Sequence, residues 1–189
     1  STCGLSAGDS LTLYDLICGL LLQSGNDCAA AIAEHISGSQ EAFAELMNTE
    51  AKQLGATGTH FVNPHGLHDE NHYTTTYDLY LMFNEALKDQ AFLDIISMNS
   101  YTAKVTSADG TSYTPTWQAT NYYSAGEATP PDGIHVYGGK TGTTDQAGNC
   151  VILYEKNTAG EPYISVIMGA SDKPLLYEEM NELLDAGMK

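Results

Sequence analysis

The sequence predicts an α+β fold: a helical region over about residues 10–98, then an antiparallel sheet and a closing helix over about residues 99–189. Three observations carry this. Apolar residues in the first half recur at helical spacing behind N-cap signals. The second half holds short apolar runs divided by Gly, Asn and Asp turns. The last stretch is amphipathic with a helical period.

Thr12-Leu-Tyr-Asp15 has the form of a capping box and opens a helix that runs to Leu22. Ser24-Gly-Asn-Asp27 interrupts it and offers N-cap chemistry for a second helix, Cys28 to about Ile36. Ser39 opens a third, with Phe43, Leu46, Met47 and Leu54 near helical spacing and Gly55 as its stop. Residues 56–75 read as a loop rich in His, Asn and Gly. Thr75 to Asp78 starts a further helix to about Leu87, and a short one lies near Phe92–Ile96.

Tyr101–Thr106 and Thr111–Thr116 flank Ala108-Asp-Gly110, a hairpin signal. After an irregular stretch over 117–132 come three strand candidates, Ile134–Thr141, Cys150–Glu155 and Tyr163–Met168, and then a helix from about Pro174 to Ala186. Three strands make a small sheet for so much helix, so further strands are expected outside these 189 residues.

Composition narrows the function. There are 24 acidic residues against 7 Lys and no Arg, a formal net charge of −17. Such a chain has no basic patch with which to displace counterions, which opposes nucleic acid and anionic membranes as partners. The longest apolar run, Leu16 to Leu22, is far short of a membrane span. The first residues are polar and carry no targeting segment, so an exported protein would have its signal peptide upstream. Cys3, Cys18, Cys28 and Cys150 lack zinc-type spacing and read as buried free thiols, with a disulfide left open. His65, His68 and His72 suit neither a helix face nor a metalloprotease pattern, and no loop has calcium-site spacing; no metal or cofactor is expected.

Two segments carry chemistry. Lys140-Thr-Gly142, extended by Thr143 and Thr144 at a strand end, sets an ammonium beside hydroxyls and an approachable backbone. Ser24-Gly-Asn26 offers a hydroxyl and an amide at a break between helices. Either tripeptide alone is a common accident. In this order they resemble the Ser-x-Asn and Lys-Thr-Gly motifs of penicillin-binding serine peptidases. The flanks extend the likeness: Gly19 to Ala30, then His60-Phe-Val-Asn-Pro-His-Gly-Leu67 with Tyr73 and Asp78, then Gly138 to Gly148. Nearly the whole chain is similar to the C-terminal part of a D-alanyl-D-alanine carboxypeptidase domain of β-lactamase/DD-peptidase-like fold.

That resemblance implies a serine hydrolase of peptidoglycan maturation, working outside the bacterial cytoplasm and inhibited by β-lactams. Its nucleophile, in a Ser-x-x-Lys motif, would attack a stem peptide ending in D-Ala-D-Ala, form an acyl-enzyme and release the terminal D-Ala. Ser24 would relay a proton and Asn26 bond the substrate amide. Lys140 would hold the hydrogen-bond network, and Thr141, with Gly142 beside it, would bind the terminal carboxylate. The Thr143 N–H would serve the oxyanion hole.

The first motif is absent. No Lys in the chain has a Ser three positions before it, and only Thr49 before Lys52 puts a hydroxyl there, inside a predicted helix. The expectation is therefore a partial catalytic domain spanning 1–189, inactive alone and prone to self-association through its unfinished sheet. The alternatives are a non-catalytic peptidoglycan-binding module and a β-lactamase.

Overall fold

A computed structural model describes residues 1–187. Five helices come first: α1 Leu13–Leu22, α2 Asn26–Ser37, α3 Gln40–Gln53, α4 Thr76–Ala86 and α5 Gln90–Ile96. The caps fall where the sequence puts them. The Thr12 hydroxyl accepts from the Asp15 N–H while Asp15 accepts from the Thr12 N–H, a complete capping box, and Ser39 and Thr75 cap α3 and α4. The start of α2 differs from expectation. Gly25 occupies the N-cap, and the helix begins at Asn26, two residues earlier than predicted. Asp27 does not cap it; its carboxylate accepts instead from the N–H groups of Cys3 and Leu5 in the N-terminal segment, and from its own neighbour Cys28.

The predicted hairpin is present but divided. β1 Ser100–Thr102 pairs with β4 Thr116–Gln118, and β2 Val105–Thr106 with β3 Ser112–Tyr113. Pro115, which has no N–H to give a ladder, lies in the gap and accepts from the Ala103 N–H. This hairpin packs with the helices. Ala103 and Trp117 share a core with Cys18 and Leu22 of α1, Cys28 and Ile32 of α2, and Ile95 of α5. The irregular stretch that follows contains a one-turn helix the sequence did not announce, α6 Tyr122–Ala125.

Then comes the antiparallel meander: β5 His135–Thr144, β6 Gly148–Lys156 and β7 Pro162–Ala170, in the order β5-β6-β7. Side chains of β6 alternate between two cores, as the pleat requires. Val151 and Leu153 pack with Leu176, Tyr177, Met180 and Leu184 of the closing helix α7 Lys173–Gly187. Ile152 faces the other way, against Phe83 of α4 and Ile96 of α5. Two glycines let β5 sit this close to its neighbours. A Cβ on Gly138 would lie 1.8 Å from the Ile96 carbonyl oxygen, and one on Gly139 would lie 1.9 Å from that of Ile152. The next residue along this clamped strand is Lys140.

Candidate active site

The turn between α1 and α2 carries the first half of the site. Ser24 has φ 58°, among the described residues the one non-glycine in the left-handed region. A side chain there is held against its own preference, a condition that clusters at functional positions. The turn is fixed from below by the Gly25 N–H on the Gly19 carbonyl at 3.2 Å, and from the side by the Thr120 N–H on the Leu22 carbonyl at 3.2 Å. Asn26 stands in the first turn of α2, its N–H donating to the Ser1 carbonyl at 3.0 Å.

Strand β5 carries the second half. The Lys140 ammonium donates to the Ser24 Oγ, across 116 positions of sequence, and to the Thr141 carbonyl at 2.7 Å. Burial lowers its pKa to about 8, so near neutrality it remains charged but gives up its proton more readily than an exposed lysine. The Thr141 hydroxyl shares a 2.7 Å hydrogen bond with that of Thr120, and the Thr143 hydroxyl donates to Asn149 Oδ1 at 3.3 Å. β5 has one ladder partner among the described residues, β6, which leaves its other edge open to an extended ligand.

Ser24, Asn26, Lys140, Thr141, Gly142 and Thr143 all line one cavity of about 440 Å³. Residues outside the two tripeptides complete it. His65 and Leu67 close the rim from the 56–75 loop, and Cys150 borders it from β6. Lys173 and Tyr177 enter from α7. Lys173 matters because the chain has no Arg: it is the second Lys lining the cavity, with its ammonium 5.6 Å from the centre of the Tyr122 ring. Only the docking of α7 on the sheet brings it to the cavity, and that placement is tertiary.

Three of the loop histidines bond within the loop itself. His65 Nδ1 accepts from the Leu67 N–H, His72 Nδ1 accepts from the Val62 N–H, and His60 Nδ1 meets the Asn71 carbonyl. Burial lowers the pKa of both His65 and His72. Asn63 ties the turn, accepting from the His65 and Gly66 N–H groups and donating to the Leu67 carbonyl. The segment is thus a built rim for the cavity. Among the described residues, the one group of His, Cys and acidic side chains close enough to share a metal ion is Cys3, Asp27 and Cys28.

Helices packed on both faces of an antiparallel sheet, with the Ser24 turn set against a Lys-Thr-Gly strand, define a chain of the DD-peptidase fold. The family model Peptidase S11, D-alanyl-D-alanine carboxypeptidase, matches residues 1–172, and the chain belongs to that family. It is 31% identical over 181 residues to D-alanyl-D-alanine carboxypeptidase DacF of Bacillus subtilis, covering 96% of this chain and 44% of that protein. Against the D-alanyl-D-alanine carboxypeptidase of Streptomyces sp. K15 it is 30% identical, covering 97% of this chain and 63% of the relative. The chain therefore spans less than two-thirds of the length of these relatives. The crystal structure of the Streptomyces K15 DD-transpeptidase superposes with a TM-score of 0.89 at 28% identity, over 99% of this chain and 71% of the other. A D-alanyl-D-alanine carboxypeptidase from Mycobacterium tuberculosis gives 0.84 at 28%, over 99% and 68%.

Proposed function

We propose that this chain supplies two walls of the active site of a serine D-alanyl-D-alanine carboxypeptidase that trims peptidoglycan stem peptides. The contact of the Lys140 ammonium with the Ser24 hydroxyl carries the reading. In acyl transfer, a serine oxygen attacks the carbonyl of the penultimate D-Ala, the resulting oxyanion is stabilised by N–H donors, and the C–N bond to the terminal D-Ala breaks as its nitrogen gains a proton. Water then cleaves the acyl-enzyme. Ser24, touched by a lysine with lowered proton affinity, is suited to pass the proton to the leaving nitrogen.

The remaining assignments carry the family's roles onto residues that line the cavity. Asn26 bonds the substrate amide. The peptide lies along the open edge of β5, where Thr141 and Lys173 receive its carboxylate and the Thr143 N–H donates to the oxyanion, a contribution worth roughly 3–4 kcal/mol per donor. Gly142 offers no Cβ; one built there would meet nothing within 4 Å, which leaves the strand approachable.

The nucleophilic Ser-x-x-Lys occurs nowhere in the 189 residues. The chain alone is therefore inactive, and a longer product of the same gene brings the serine to the cavity. That product works in the bacterial cell envelope and is acylated by β-lactams. No helix among the described residues is long and apolar enough to cross a membrane. β7 pairs only with β6 among the described residues, and the unpaired edge promotes self-association of the 189-residue chain. Fluorescent penicillin tests the reading: the longer product becomes covalently labelled and this chain does not. Labelling of the isolated chain, or none of the longer product, would sink it.

A further inference from the structure

The N-terminal segment crosses the start of α2 as a strap. Its Cys3 and Leu5 N–H groups donate to the Asp27 carboxylate at 2.8–3.0 Å, its Ser1 carbonyl accepts from the Asn26 N–H, and the Trp117 indole N–H donates to the Cys3 carbonyl at 3.3 Å. The contacts bring two thiols together. The Cys3 and Cys28 sulfurs lie within 4.8 Å of each other in a buried position. Both press on the turn that bears Ser24 and Asn26. A Cβ on Gly19 would lie 2.8 Å and 2.7 Å from them, and one on Gly25 would lie 2.5 Å and 3.3 Å away.

We infer that Cys3 and Cys28 form a disulfide that staples the N-terminal strap to the Ser24–Asn26 turn. The sulfurs need to move by no more than about 1.5 Å each to reach the ~2 Å bond length. The reaction is thiol–disulfide exchange with a small-molecule disulfide such as oxidised glutathione. One cysteine thiolate attacks it and expels a glutathione thiolate; the second attacks the mixed disulfide and expels another. The two cysteine thiols are oxidised, the glutathione disulfide is reduced to two thiols, and the two protons end on them. An envelope location is a compartment where such bonds persist.

Metal binding is the competing use of the cluster, and the structure argues against it. Both Asp27 oxygens already accept backbone N–H groups, so two thiols remain, short of a tetrahedral zinc set. The hydrogen bond with Cys3, then burial, push the Cys28 thiol well above its ordinary pKa. The same protection makes the folded dithiol slow to react, so the bond forms while the strap is still closing.

The test is to fold the protein in a glutathione redox buffer, block remaining thiols with iodoacetamide, and digest it unreduced with a protease that cuts before Asp. Cys3 then lies in a peptide ending at Gly8, Cys18 in Asp15–Asn26, and Cys28 in a peptide starting at Asp27. The expected product joins the first and third, about 2 Da below their summed mass, with Cys18 alkylated. The oxidised protein should melt about 5–10 °C above the reduced one, since the bond closes a loop of 24 intervening residues. That shift should vanish in Cys28→Ser and persist in Cys18→Ala. Alkylation of both Cys3 and Cys28, a link through Cys18, or stoichiometric zinc retained on the two thiols would overturn the proposal. The peptide map is read on the wild type, so it stands even where a variant fails to fold.

Discussion

Glu155 lies in the middle strand of the sheet with no exposed surface. One oxygen accepts from the Ser165 hydroxyl at 2.5 Å, and the other, Oε2, has no partner among the described residues. Burial raises its pKa to about 7, against the opposing effect of the Ser165 bond. Because the folded state holds this proton more tightly than the unfolded state, its contribution to stability is fully present below about pH 4.5 and is lost as pH rises through about 7. A shift from 4.5 to about 7 corresponds to about 3 kcal/mol as an upper bound. Glu155→Gln keeps the shape and the acceptor and removes the ionisation. Urea denaturation of both proteins from pH 4.5 to 8.5 isolates the residue, since the other acidic groups cancel in the difference. Gln should match the wild type near pH 4.5 and exceed it by up to about 3 kcal/mol at pH 8. A difference that does not vary with pH, or a wild type that gains on the variant as pH rises, would mean that Glu155 is ionised and paired, and the reasoning would fail.

Three further outcomes follow from the site. In the whole gene product, kcat/KM for an acyl-D-Ala-D-Ala peptide should fall at alkaline pH as Lys140, whose pKa burial lowers, loses its charge; a profile flat to pH 9.5 would contradict the role given to the ammonium. Lys173→Ala should raise KM roughly tenfold with kcat little changed, because it removes one of the two Lys that line the cavity; steady-state kinetics would show instead an unchanged KM if the carboxylate binds elsewhere. Gly139→Ala should destabilise the fold by about 3 kcal/mol or more, since its Cβ meets the backbone of β6 and not a side chain that could swing away; a thermal melt within a degree of wild type would refute the clamp on β5.

Local chemistry made the elements legible. Thr12, Ser39 and Thr75 marked helix starts because a cap is a contact between residues two or three apart. The meander was readable for a similar reason, since Thr144 to Gly148 and Asn157 to Gly160 are turns set by adjacent residues. The misplacement of the α2 start had a non-local cause: Asp27, a good cap by type, is claimed by the strap at Cys3 and Leu5. The hairpin is readable as a pair, and Pro115, with no N–H to give the ladder, lies where it splits. The candidate site was legible only through resemblance, because nothing local joins Ser24 to Lys140. Lys173, the thiol pair and the buried Glu155 depend on how α7, the strap and the sheet pack. No periodicity reports such contacts.

The most direct measurement is D-alanine release from an N-acyl-D-Ala-D-Ala peptide by the whole gene product, with Ser24→Ala and Lys140→Ala beside the wild type. The account predicts D-alanine release by the wild type and a fall in kcat/KM of about 100-fold or more in each variant with the melting temperature retained. Wild-type rates in either variant, or a wild type that releases no D-alanine, would contradict it.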